Sequence, residues 1–348
     1  MKKNLISLVI AGAVAVPFAA QAGSLNVANQ DITLSGGVAG GYVNNTDTTK
    51  DAFTATDALV DLSSEAKTGG MGFDVGVGVL AGANLSGNGS ELNTAGSGSG
   101  TALQYGWLTI MPTDGLSIQA GTLATNVGYE VVPSYNNANI LRGLVWNQQP
   151  AYYNGVRATY ATGDMSVYAE ASNDPYNLGT TSNGQAIGAS ATMGAVNGSI
   201  SYFNYEDNKS IVDIIASSKI GSVEVAANID YQMWADRVKN LLPSSADDNA
   251  YGIALYATMP MGANASLPVR VEYVSDGTSG LYGLGAVGAS NSAYTITITP
   301  TYNFSDSTFV RAELAYVGTD KKISAYKDDK GVANDSNLIV GFQGGLMF

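Results

Sequence analysis

From Asp31 onward the chain breaks into short runs in which apolar residues alternate with small or polar ones. A period of two is the mark of a strand whose two faces meet different surroundings. Ile32, Leu34, Val38 and Tyr42 share one face of the first run, and Thr33, Ser35, Gly37 and Ala39 share the other. In residues 57–67, Val60 and Leu62 stand opposite Asp61, Ser63 and Glu65; in 72–82, Phe73, Val75, Val77 and Val79 line one side. Further runs cover 102–111, 116–124, 151–162, 165–173, 185–193, 198–205, 210–218, 223–234, 249–259, 267–275, 293–303, 308–317 and 336–348, so the pattern predicts 16 strands coupled as hairpins.

The connections alternate in length. Those after even-numbered strands span about two to seven residues, and those after odd-numbered strands run from roughly ten to 26, with 206–209 breaking the rule. Short turns at one end, long loops at the other and an even strand count define a predicted all-β fold. The expected molecule is a single closed antiparallel transmembrane β-barrel of about 16 strands. Prolines fit this reading at 112, 133, 150, 175, 243, 260 and 268, all at strand ends or in connections. Pro300 falls inside a strand and predicts a bulge or a lost ladder bond. Ile211, Val212, Ile214 and Ile215 make the run 210–218 apolar on both faces, which marks it, with the flat Gly36–Val38–Gly40 face, as a candidate subunit contact.

The final strand ends on Phe348, and this aromatic end resembles the closing strand of bacterial outer-membrane barrels. That resemblance implies that Phe348 is read by the barrel assembly machinery. Residues 1–22 read as a secretory signal: Lys2 and Lys3, an apolar run from Leu5 to Phe18, then Ala20-Gln21-Ala22. The expected mature barrel is therefore 23–348, exported to the outer membrane of a Gram-negative envelope.

Composition narrows the function. The chain has no histidine and no cysteine, which removes imidazole bases, thiolate nucleophiles and zinc–thiolate sites. An enzyme of the outer-membrane protease or phospholipase type is not expected, and neither a cofactor nor a metal is implied. Setting Lys2 and Lys3 aside from 16 basic residues leaves 14 against 29 acidic ones, about −15 in all, so nucleic acid is not an expected partner.

A barrel this wide cannot be filled by its own side chains, so the non-apolar face should line water. That face carries Asp57, Asp61, Glu65, Asp74, Glu170, Asp213, Glu224, Asp230, Glu272 and Glu313, countered by Arg157, Arg270 and Arg311. An acidic wall should favour cations. The plainer alternative is that these residues merely wet the lumen. The longest connection, 125–150, is the third outer loop and carries Val131, Val132, Ile140, Leu141, Leu144, Val145 and Trp146. So much apolar surface should fold inward, which would bring Glu130 and Arg142 to the constriction.

Residues Leu141-Arg142-Gly143-Leu144-Val145-Trp146-Asn147-Gln148-Gln149-Pro150, then Tyr152-Tyr153-Asn154-Gly155-Val156-Arg157 and Asn173-Asp174, resemble the OmpL-like β-barrel porin family. The resemblance implies a porin and leaves the solute open; Pro175-Tyr176 departs from it. The expected function is passive diffusion of ions and small hydrophilic solutes through a water-filled channel in outer-membrane lipid, with a homotrimer the common assembly. The alternative is a surface adhesin or structural barrel with a blocked lumen.

Three further features have plainer readings. Gly283-Leu284-Gly285-Ala286-Val287-Gly288 matches the dinucleotide fingerprint without its strand–helix setting, and reads as a flexible surface loop. Asp247-Asp248 and Asp328-Asp329 lack calcium-loop spacing and read as solvated loop tips. Tyrosines at strand ends read as interface girdles rather than sugar platforms.

Overall fold

In a computed structural model, the described residues are 23–27, 30–45, 52–80, 85, 102–173, 183–206, 208–284, 287–327 and 332–348. The signal reading, Asp174-Pro175-Tyr176, Gly285-Ala286 and Asp328-Asp329 lie outside them.

A short strand β1 (Gly23–Val27) pairs with the lower end of β2 (Gln30–Asn45). The chain then runs through β3 (Ala52–Ser64), β4 (Gly70–Leu80), β5 (Ala102–Thr113), β6 (Leu116–Ala124), β7 (Tyr152–Thr162) and β8 (Met165–Asn173). Next come β9 (Asn183–Met193), β10 (Val196–Tyr205), β11 (Lys209–Ile220), β12 (Val223–Trp234), β13 (Asn249–Pro260) and β14 (Ala265–Gly277). It closes with β15 (Asn291–Ile298), β16 (Thr301–Asn303), β17 (Thr308–Lys327) and β18 (Ala333–Met347). Every strand pairing is antiparallel, and β18 pairs back onto β2, from Ile339↔Asn45 to Met347↔Gly37. Closure leaves no free edge, which lets strands cross lipid with their backbone groups satisfied.

β15 and β16 are two halves of one stave, parted at Thr299-Pro300 where proline supplies no ladder N–H. Counted so, the barrel has 16 staves, with β1 as an extra strand. Two-residue turns such as Gly163-Asp164 and Gly194-Ala195 place glycine at φ +57° and +64°, as tight hairpins require.

The alternation sorts the two faces. Leu108, Val156, Ile187, Ile296 and Phe342 point outward and are each at least half exposed. Outward tyrosines pair across strands near the rim, Tyr251 with Tyr273 at 6.1 Å and Tyr294 with Tyr316 at 6.0 Å. Other tyrosines, among them Tyr135, Tyr153, Tyr205 and Tyr282, are buried inside. Several inward positions of β12–β18 are small: Ala226, Ala250, Gly252, Ala254, Ala293, Ala315 and Gly341. Small inner residues leave room for a segment inside the barrel.

Candidate functional site

That segment is 125–150. Val127, Val132, Tyr135, Ile140, Leu141, Leu144, Val145 and Trp146 are all buried. Leu141, Leu144 and Val145 pack with the small inner residues of β12–β18, while Val132 and Tyr135 pack with Ala39, Leu59 and Leu80. Val127 covers Ile211 together with Leu123, Tyr153, Phe203 and Tyr205. This contact accounts for the doubly apolar β11: Ile211 and Ile215 are buried on its inner side, and Ile214 is exposed on its outer side.

The regular structure of 125–150 is limited to two single 3-10 turns, Ser134–Asn136 and Trp146–Gln148, so most of its amides and carbonyls need other partners. Wall carboxylates provide them. Glu313 on β17 accepts Ile140 N at 2.5 Å and Leu141 N at 3.0 Å. On β14, Glu272 accepts Leu144 N and Val145 N, both at 3.1 Å. Asp57 on β3 accepts Ser134 N at 2.6 Å, and Glu130, within the segment, accepts Gly143 N at 2.7 Å. Two lone pairs on each carboxylate oxygen suit adjacent amides. The carbonyls are held by arginines: Arg311 donates to Asn137 O at 2.6 Å and Ser134 O at 2.9 Å, and Arg270 to Leu141 O at 2.8 Å.

Gly143 lies close against the wall: a Cβ there would stand 2.1 Å from Glu272 Oε1, so the carboxylate would have to shift. Arg270 lies between Glu130, its hydrogen-bond partner, and Glu272, 3.2 Å from its Nε. Burial pushes the Glu130 carboxyl above the ordinary carboxylate range, with Arg270 pulling it back. Burial likewise lowers the Arg142 guanidinium, which is stacked 4.6 Å over Trp146 and donates to Val131 O at 3.2 Å.

The remaining charges sit apart from that lattice. Arg157 Nε is 2.6 Å from Glu170 Oε2, both buried, and the guanidinium also reaches Ala124 O at 2.7 Å. Asp61 on β3 and Asp74 on β4 are half-buried beside Tyr105, whose hydroxyl donates to Asp61. Tyr105 stacks on Trp107 at 5.4 Å and meets Tyr152 at 5.1 Å. Asp230 is fully buried next to Asp213. Glu224 lies near the short-turn end of β12, 3.8 Å from Lys219.

Two placements differ from the sequence reading. Glu65 is exposed in the turn that follows β3, because the strand stops at Ser64 and its alternation cannot be extended further. In the loop after β14, Gly283, Val287 and Gly288 are exposed as a surface loop requires, but Leu284 is not. Leu281, Tyr282 and Leu284 are buried against Leu141, Leu144 and Val145, with Asp276 accepting Tyr282 N and Leu284 N at 3.0 Å each. Leu85, from the loop after β4, joins them and donates to Arg142 O at 3.0 Å. Apolar residues inside an outer loop signal both inward segments, 125–150 and 281–284, but between glycines the signal at 281–284 is easily missed. At the outer tips, Asp247 accepts Thr278 N at 2.9 Å and Asp248 pairs with Lys239 at 2.7 Å.

A closed barrel with a lipid-ready outside, a charged inside and an inner loop belongs to the porin class. The family described as "Putative beta-barrel porin-2, OmpL-like" matches residues 24–348, and the chain belongs to that family. No curated protein matches it in sequence. Among solved structures it is similar to the anion-selective porin from Comamonas acidovorans, with TM-score 0.66, 12% identity, and 91% of this chain and 99% of that one covered. It is also similar to outer-membrane expressed OmpT of Vibrio cholerae, with TM-score 0.64, 12% identity and coverage of 94% and 100%. Salmonella typhi OmpF gives TM-score 0.61, 13% identity and coverage of 93% and 100%. The protein is an outer-membrane porin.

Proposed function

We propose that this porin passes ions and small hydrophilic solutes by passive diffusion, with a preference for cations, and that no residue does covalent chemistry. The observation that carries the sign is the different engagement of the acids. Glu130, Glu272, Glu313 and Asp57 are committed to amides of 125–150. Asp61 and Asp74 are only half-buried, and among the described residues no lysine or arginine forms an ion pair with either. Carboxylates on a lumen wall with no basic partner attract cations to that side.

In this reading 125–150 is the constriction. It is anchored on both sides of the lumen, to Glu272 and Glu313 on one and to Asp57 on the other, and the path runs beside it with Asp61 and Asp74 on its wall. The support is the set of loop contacts to Glu272, Glu313, Arg270 and Arg311.

A homotrimer is the assembly we favour. One solved structure of similar fold, the OmpT of Vibrio cholerae, is described as a trimer form. Small outward residues Gly40, Ala265, Ala312 and Gly344 line a groove of about 1060 Å³ on the barrel exterior, where flat packing is sterically easy.

Planar-bilayer recording of the purified barrel in a salt gradient tests channel and sign together. Conductance with a reversal potential of cation sign is expected; an anion-sign potential would refute the preference, and no conductance would refute the channel.

A further inference from the structure

Asp213 on β11 and Asp230 on β12 are register partners, both fully buried, and their carboxyls lie in hydrogen-bond contact with each other. Among the described residues neither forms an ion pair. The groups that face them supply N–H donors instead. Asn228 Nδ2 donates to Asp213 Oδ2 and, at 3.3 Å, to Asp230 Oδ1. Gln149 Nε2 donates to Asp230 Oδ2 at 2.8 Å, and the Gly128 N–H faces Asp213. Across the outer sides of the two strands, the register partners are Ser201 and Gly252, both uncharged. Tyr168 of β8 and Tyr282 of the loop after β14 also face the pair, and tyrosines stay neutral below about pH 10. Lys209, at the start of β11, donates to Gln232 Oε1 and Gln148 O, each at 3.0 Å.

Two bare carboxylates repel, so carboxyls that touch in a buried site without a counter-charge hold a proton between them. The surrounding N–H donors then stabilise the single charge that remains. We infer that Asp213 and Asp230 share one proton, and that this proton is a pH-sensitive catch which holds both stems of 125–150 against the β11–β12 wall and releases them in alkali.

Gln149 belongs to one stem, and Tyr129 to the other. The Tyr129 N–H donates to Asn228 Oδ1 at 3.2 Å, and Gln149 Nε2 donates to the same oxygen at 3.0 Å. Asn228 is itself oriented by its bond to Asp213. Both stems therefore hang on the carboxyl pair, one directly and one through Asn228. When the proton leaves, two charges face each other with no base between them. Water is the cheapest relief, and it can enter only where the stems now sit. Asp213 and Asp230 then part, taking Asn228 and Gln149 with them. Acid adds a second proton and leaves every N–H donor in place, so the catch answers to alkali and not to acid. Its effect on conductance rests on the reading of 125–150 as the constriction; the catch itself does not.

The test uses the full refolded barrel in detergent, with folding checked by heat-modifiable gel migration. Infrared difference spectra follow the carbonyl band of a protonated carboxyl, and hydrogen exchange follows the Tyr129 amide, corrected for the intrinsic rate at each pH. In the wild type the band is expected at neutral pH and should vanish on alkaline titration below the tyrosine range. Tyr129 protection should fall with it by about two- to tenfold, the scale of one hydrogen bond. Asp230→Asn makes the shared-proton state permanent, because the new carboxamide accepts from Gln149 through its oxygen and donates to Asp213 through its nitrogen. That variant should lack the band and keep Tyr129 protected in alkali; Asp213→Asn serves if it folds poorly. Titration spectra that match between the wild type and a folded variant overturn the shared proton. Wild-type Tyr129 protection that ignores pH overturns the catch. If alkali removes both band and protection while single-channel records stay unchanged, the catch stands and the constriction reading falls.

Discussion

Glu313 holds the backbone of Ile140 from across the barrel: its two carboxylate oxygens accept the Ile140 and Leu141 amides at 2.5 and 3.0 Å. One wall side chain thus fixes two successive peptide units of the inner loop. Replacing it with alanine orphans both amides at about 1–3 kcal/mol each, a factor of roughly 5–150 per amide in the ratio of held to released loop. The loop can let go and rehydrate, so the barrel's melting should move little. Single-channel records of Glu313→Ala should instead show larger conductance and more frequent flickering. Records indistinguishable from wild type would rule out the loop as the narrow point.

Gly143→Ala should act on the same contact from the loop side. The added Cβ would collide with the Glu272 carboxylate, which accepts Leu144 N and Val145 N. Loss of loop fixation without loss of a charge is expected, read as flickering at unchanged ion selectivity. A quiet channel from this variant would show that the segment can shift without cost.

The Arg157–Glu170 pair, Nε to Oε2 at 2.6 Å with both side chains buried, invites a double-mutant cycle. Removing either partner leaves a buried charge alone and should destabilise the barrel by about 3–5 kcal/mol. Replacing both with methionine should cost much less than the sum of the two single changes. Denaturant unfolding of the refolded barrel measures all four corners, and additive losses would mean the pair is solvated.

Much of this could be read from the sequence for a physical reason. Lipid demands an apolar side chain at every second position, so Leu108, Val156 and Ile187 announce their strands and their outward face. Val132, Leu141 and Trp146 announce an inward loop because water would not tolerate them in a free one. What alternation cannot say is which inward acid meets an amide. Glu313 and Glu65 carry the same side chain; one is bound to two N–H groups and the other is exposed beyond the end of its strand. That difference depends on where the loop crosses, which no single strand encodes. The Asp213–Asp230 pairing is likewise set by register between two strands, and the hydrogen bond from Gln149 to Asp230 by a third segment.

At the outer tips, pH should act on the Asp247 and Asp248 clasp. Asp247 is held below its ordinary value of 3.8 by hydrogen bonds from the Thr278 backbone and hydroxyl, and Asp248 by hydrogen bonds from Lys239 and Asn249. A depressed carboxylate contributes stability above its unfolded value and loses it as pH falls through the folded one. The clasp should therefore be intact at neutral pH and open only below about 4. Hydrogen exchange at the Thr278 amide, slow above that range and fast below it, is the check; protection lost already near neutrality would contradict the contact.

Phe348, next after the closing strand, is bonded to Gly36 within β2. Phe348 N donates to Gly36 O at 3.1 Å, and Gly36 N to Phe348 O at 3.0 Å. Phe348→Asp keeps these backbone bonds but places a charge at the strand terminus. If the side chain is the part the assembly machinery reads, folded barrel in the outer membrane should fall sharply, while refolding in detergent should proceed nearly as in wild type. Equal loss in both settings would make Phe348 a structural residue only.

The sign of ion selectivity is expected to reside in Asp61 and Asp74. Both project from the inner faces of β3 and β4 beside the Tyr105 hydroxyl. In contrast, Glu272 and Glu313 are fully buried under the loop, where their charge is spent on fixed amides. Asp61→Asn/Asp74→Asn should move the reversal potential in a salt gradient toward zero, and neutralising Glu224 instead should leave it nearly unchanged. Salt supplies the control: at 1 M the Debye length is about 3 Å, so the difference between wild type and variant should shrink there and widen at 0.1 M, where it is about 10 Å. A variant whose reversal potential matches wild type at low salt would move the determinant to the arginines of the loop lattice, Arg270 and Arg311.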